Sequence, residues 1–65
     1  MKFSEFLREH QRTGQLPDVG GDSQFPYYAG WIMGASVEKC GMNLHKAIEF
    51  AIHLAEFVEA HAFDA

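Results

Sequence analysis

The stretch from Asn43 to Phe63, NLHKAIEFAIHLAEFVEAHAF, decides the fold. Placed at 100° per residue, its apolar side chains cover an arc of about 220°, whereas an ordinary surface helix shows an apolar stripe of roughly 100° or somewhat more. Asn43 is a favoured N-cap residue, and Ile48-Glu49-Phe50 recurs seven residues later as Ala55-Glu56-Phe57. The stretch predicts a helix over about residues 43–63 that is apolar around more than half of its circumference.

Two further helices are predicted upstream of this one. The first covers about residues 2–13, where apolar side chains and one histidine recur at helical spacing: Phe3, Phe6, Leu7 and His10. The second covers residues 26–40, because Pro26 suits the first position of a helix and Gly41 suits the position after its end. The sequence therefore predicts an all-α, three-helix domain, a C-terminal helical hairpin with the shorter first helix packed across it.

Residues 14–25 between the first two helices are predicted to form a loop. Pro17-Asp18 suits the centre of a turn, and Gly20-Gly21 interrupts regular structure. We expect the apolar side chains of this loop to fold back over the core: Leu16, Val19 and Phe25. Asp18, Asp22 and Ser23 lack the glutamate that a calcium loop needs at its twelfth position, so a turn and helix-capping role is expected for them.

Composition and charge exclude several classes of function. The 65 residues are 48% hydrophobic and carry a net charge of −4, which is typical of one small globular domain. The five basic residues are dispersed, so nucleic-acid binding is not expected. The longest apolar-leaning run, residues 25–37, is shorter than the ~20 residues that span a bilayer, and the N-terminus has no signal-peptide pattern. We expect a cytoplasmic protein with no membrane contact.

The two long helices have more apolar surface than one short helix can cover, which predicts self-association as a homodimer. Gly30 and Gly34 form a smooth strip, and Ala47, Ala51 and Ala55 form a ridge of small side chains. We expect this strip and ridge to meet, within one chain or across a two-fold axis. The predicted interface comprises Tyr27, Tyr28, Gly30, Trp31, Gly34, Ala47, Phe50, Ala51 and Phe57.

The polar side of the third helix has two interpretations. Glu49, Glu56 and Glu59 form an acidic face that predicts a protein partner with a basic surface. On the same side, His45, Glu49 and His53 follow one another at intervals of four residues and could share a metal ion. A solvated stripe is the expectation for these three, because no HExxH motif and no second cysteine accompany them.

No catalytic arrangement accompanies these features, and we expect neither an enzyme nor a cofactor. Cys40 ends the second predicted helix, away from the positive charge that activates a thiol, and is expected to be a buried structural residue. The sequence predicts a small interaction module that self-associates and binds another protein as a regulator, inhibitor or accessory factor. The alternative is a metal- or pH-responsive helical dimer that uses His45, Glu49 and His53.

Overall fold

The computed structural model describes residues 1–21 and 23–61, and within them the protein is all-α. Three helices follow one another: α1 (Phe3–Thr13), α2 (Phe25–Cys40) and α3 (Leu44–His61). The described part contains no strand. The all-helical prediction is confirmed, while the predicted end of the third helix at residue 63 lies outside the described residues.

The start of α3 and the ends of α1 and α2 form where the sequence predicts them. The Asn43 side-chain Oδ1 accepts a hydrogen bond of 2.8 Å from the Lys46 backbone N–H, which satisfies one of the unpaired donors in the first turn of α3. Gly14 and Gly41 end α1 and α2 in the left-handed conformation, with φ of 77° and 69°. Asn43 is therefore the N-cap that the sequence indicates, and the two glycines stop the preceding helices.

Helix α2 begins one residue earlier than predicted, at Phe25. The Ser23 hydroxyl accepts a hydrogen bond of 3.2 Å from the Phe25 N–H, and the Gln24 carbonyl accepts one of 3.0 Å from the Tyr28 N–H. Pro26 follows in the first turn, where its missing N–H removes no helical hydrogen bond. The residues before the proline thus supply the cap.

The core forms where α1 crosses the two long helices. Phe6 and Leu7 of α1 are completely buried. They pack with small and branched side chains of α2 and α3, namely Ala29, Met33, Ala47, Ile48, Ala51, Ile52 and Ala55. Phe3 contacts Phe25 at the start of α2, with ring centroids 5.3 Å apart, while the neighbouring Ser4 binds Glu59 near the end of α3. The start of α2 and the end of α3 therefore lie together, so the hairpin is antiparallel.

The loop covers the core only in part. Val19 and Phe25 pack against the core cluster, as expected. Leu16 is about half exposed, so the expectation that it folds back over the core is wrong. In the part of the loop that is described, Asp18 Oδ1 accepts a hydrogen bond of 3.2 Å from the Gly20 N–H, which makes a local turn. Asp22 lies outside the described residues.

The predicted meeting of the glycine strip and the alanine ridge does not occur within the chain. Ala47 and Ala51 have no exposed surface, because they belong to the core that α1 covers. Gly30 and Gly34 lie on the opposite, exposed side of α2, and a Cβ added at either would find no atom within 4 Å. Ala47 and Ala51, predicted as interface residues, are therefore core residues of this fold.

Cys40 also differs from its prediction. Its side chain is exposed at the end of α2, whereas a buried structural cysteine was expected. The buried side of α2 is set by Ala29, Met33 and Ser36. Cys40 lies four residues after Ser36, but it is the last residue of the helix and lines an open depression with Lys39 and Phe50.

Candidate functional site

Polar contacts between α1 and α3 use two of the three glutamates predicted to form an acidic face. Glu59 accepts hydrogen bonds from the Ser4 hydroxyl at 2.6 Å and from the Ser4 backbone N–H at 3.1 Å. Glu56 pairs with the Arg8 guanidinium at 2.7 Å. Both carboxylates hold the first helix in place. Both side chains therefore contact α1, an engagement that the sequence does not predict.

The contact at Ser4 changes the titration of Glu59. Hydrogen bonds from the Ser4 side chain lower the pKa of this carboxyl below its ordinary value of 4.5, and the Ser4 backbone N–H and the charge of Lys2 act in the same direction. Desolvation acts against them. The ionised form of Glu59 is therefore the one that α1 binds.

The remaining acidic residue, Glu49, lies on the exposed polar side of α3. His45 Nε2 lies 3.1 Å from one Glu49 oxygen, and Lys46 Nζ lies 3.8 Å from the other. Within residues 1–21 and 23–61, no three histidine, cysteine or acidic side chains come together as a metal site would require. Of the three residues in the metal hypothesis, His45 and Glu49 are in contact, and His53 does not join them as a third ligand.

An apolar groove between α2 and α3 is the most distinctive surface of the protein. It consists of two adjoining depressions that share Ile32. Phe3 of α1, the core residue Ala55 and Cys40 also line it. The remaining apolar lining residues define the groove from here on: Trp31, Ile32, Ala35, Phe50, Leu54 and Val58. Tyr28 flanks the groove on α2, where its ring contacts Phe3 edge-on at 6.4 Å. Phe57 follows Phe50 by seven residues, on the same side of α3, and stacks on His61 at 4.2 Å.

The groove and its flanks are exposed to an unusual degree for such side chains. Trp31 is 69% exposed and Phe57 is 62% exposed, while Tyr28, Phe50 and Leu54 are each exposed by about two fifths. Among the described residues that line the two depressions, the charged side chains are Lys39 at one end and Glu59 at the other. The surface is thus a continuous apolar strip with a cation at one end and an anion at the other.

The structure divides the predicted interface residues into three groups. Trp31 and Phe50 line the groove, Tyr28 contacts Phe3 at its edge, and Phe57 lies on the same side of α3 as Phe50. Tyr27, Gly30 and Gly34 are exposed on the outer edge of α2. Ala47 and Ala51 are buried in the core.

Four groove residues are absent from the predicted interface, and two of them carry a signal in the sequence. Leu54 and Val58 follow Phe50 at intervals of four, so they share its side of α3. Ile32 lines both depressions and Ala35 lines one, and the nearly uniform apolar sequence of α2 gives no phase from which their positions could be read. The position of a groove between two helices depends on how each helix is rotated about its own axis. The sequence of α2 has no apolar periodicity from which this rotation could be predicted.

Comparisons with known proteins give no relative: no family model, no curated protein and no solved structure matches the chain. None of the helices within the described residues combines the length and the apolar character needed to cross a membrane.

Proposed function

We propose that the protein is a small cytoplasmic interaction module, not an enzyme, that self-associates through the apolar groove and binds another protein as a regulator, inhibitor or accessory factor. The observation that carries the proposal is the exposed apolar groove with its aromatic flanks. Aromatic side chains contribute most of the binding energy at protein interfaces, particularly where they lie in well-packed central patches. Trp31, Phe50 and Phe57 provide such a patch.

The size of the surface supports self-association. An aromatic side chain has an area of ~150–250 Å². Multiplying such areas by the exposed fractions of the groove residues, Tyr28 and Phe57 gives an exposed apolar surface on the order of 500 Å². A standard interface buries about 800 Å² per partner, of which roughly 60% is apolar. One groove therefore supplies the apolar content of one half of such an interface, and a second copy supplies the other half.

A second protein would use the outer edge of α2, which lies outside the groove. Tyr27 is 76% exposed there, and the open space over Gly30 and Gly34 permits close approach of a partner backbone. Glu38 lies on the same side as Gly34, four residues further along the helix. Together with the net charge of −4, this edge fits a partner with a basic surface.

The chain's single cysteine supports the proposed cytoplasmic location. Cys40 is an exposed thiol, which fits a reducing compartment such as the cytoplasm.

A matched pair of variants on α3 tests the self-association. Phe57→Gln removes an aromatic ring beside the groove, and Leu44→Gln changes a side chain that is equally exposed but lies away from it, near His10 and His45. The proposal predicts that Phe57→Gln sediments as a single chain at concentrations where wild type and Leu44→Gln are dimers, with all three equally helical by circular dichroism. Equal masses for all three proteins would overturn the role of the groove.

The binding of a second protein has its own test. Tyr27→Ala should lose a partner that the wild-type protein captures from its source cells, while its dimer mass stays unchanged. If Tyr27→Ala and wild type capture the same proteins in the same amounts, the outer edge of α2 is not the binding surface.

A further inference from the structure

We infer that two copies of the chain dock antiparallel, so that the Lys39 end of one groove faces the Glu59 end of the other. This inference rests on the self-association proposed above and specifies its arrangement. It follows from the distribution of charge along the groove, because the apolar middle alone would accept a partner in either direction.

The two ends of the groove differ in chemistry. Lys39 and Cys40 line the depression beside Phe50, near the link between α2 and α3. Glu59 lines the other depression, together with Val58. Lys39 makes no ion pair within residues 1–21 and 23–61, since the four pairs found there involve other side chains. The cation at one end is therefore available to a partner chain.

Glu59 can accept a further hydrogen bond while it holds α1. An ionised carboxylate has about four acceptor positions, and Ser4 uses two of them. The side chain is only half-buried, and it borders the groove. A partner's lysine can approach it without displacing Ser4.

A two-fold axis allows two arrangements of the grooves. If the axis runs along the groove, the two copies lie parallel. Lys39 then faces Lys39 of the second copy, and Glu59 faces Glu59. With the axis perpendicular to the groove, the copies lie antiparallel and each lysine faces a glutamate, twice per dimer. Like charges placed together at an interface oppose binding, whereas opposite charges select the register. The antiparallel arrangement is the one that the charges favour.

Cysteine cross-linking distinguishes the two arrangements. Three proteins are treated with a short bismaleimide under native conditions: wild type with Cys40 alone, Cys40→Ser/Val58→Cys with a thiol only at position 58, and Val58→Cys with both thiols. Antiparallel docking places Cys40 of one copy near position 58 of the other. The inference predicts a covalent dimer for Val58→Cys and none for the other two proteins.

The experiment distinguishes failure of the antiparallel arrangement from failure of the proposed self-association. Cross-linking of wild type through Cys40 alone, or of the double variant through position 58 alone, would show parallel docking and overturn the inference while the proposed self-association stands. A sedimentation mass of one chain for all three proteins would overturn both. A dimer mass without any cross-link in Val58→Cys would place the contact away from the groove ends and would also overturn the antiparallel arrangement.

Discussion

Glu59 accepts two hydrogen bonds from Ser4, one from the hydroxyl at 2.6 Å and one from the backbone N–H at 3.1 Å, across 55 residues of sequence. Ser4 lies in the first turn of α1, where backbone donors have no partner within the helix and the helix dipole is positive. A carboxylate from the end of α3 thus caps the start of α1. This contact fixes the short helix across the hairpin and leaves the other side of α2 and α3 uncovered.

Replacing Ser4 with alanine should destabilise the fold. The hydroxyl is buried and bonds to a charged acceptor, so we expect a loss of about 1–2 kcal/mol in the free energy of unfolding. Urea denaturation at fixed chain concentration measures it, since unfolding of an associating protein depends on concentration. As a control, Glu56→Gln removes the exposed Arg8 pair and should cost less than about 1 kcal/mol. Equal losses for the two variants would contradict the capping role.

Stability should fall in acid because of the same contact. The pKa of Glu59 is lowered in the folded protein relative to 4.5, so the folded state binds this proton less readily than the unfolded chain does. The resulting stabilisation is complete well above pH 4.5 and is lost as the pH falls through the lowered folded value. We expect Glu59→Gln to have a flatter profile of stability against pH from neutrality to pH 3. A profile as steep as that of wild type would show that other groups cause the acid sensitivity.

The exposed glycines and the buried alanines predict opposite responses to the same new side chain. Gly34→Leu adds a side chain into open space on a helix, and should raise the free energy of unfolding by about 0.5–1 kcal/mol without changing the dimer mass. Ala51→Leu adds the same atoms to a filled core, and should lower it by about 1–3 kcal/mol. Thermal melting of both variants gives the comparison. A destabilised or dissociated Gly34→Leu would mean that the glycine strip is packed against another chain.

These responses show which parts of the fold the sequence could predict. Helix α3 and its Asn43 cap were predictable, because a polar side and a capping residue define where the helix lies and where it begins. The contacts of α2 were not, because it is apolar nearly all round and its sequence gives no phase. The buried side centred on Ala29 and Met33, and therefore the exposure of Gly34, depends on how α2 packs against α3 and α1.

The candidate surface was predictable to a similar degree. An excess of apolar helix surface follows from composition and length alone, and Trp31, Phe50 and Phe57 were recognised individually. The engagement of Glu56 and Glu59 with α1 was not predictable, because the Ser4–Glu59 and Arg8–Glu56 contacts link distant parts of the chain. Periodicity within one helix carries no information on such distant pairs.

The single tryptophan reports directly on the groove. Trp31 is 69% exposed in one chain, and a second copy in the groove would remove it from water. We expect its fluorescence emission to shift to shorter wavelength as the protein concentration is raised through the dissociation constant, and Phe57→Gln to need a higher concentration for the same shift. An emission maximum that tracks the dimer mass supports the groove as the contact. If the emission maximum remains that of water-exposed tryptophan at concentrations where the measured mass is that of a dimer, the two copies meet at a surface that does not include Trp31.

Sedimentation equilibrium of the wild-type chain over a wide concentration range tests the central claim most directly. If a second copy covers the apolar groove, the mass rises with concentration to twice the 7.3 kDa of one chain and stays there. A mass of 7.3 kDa at every concentration, with the groove open to water, would contradict the account.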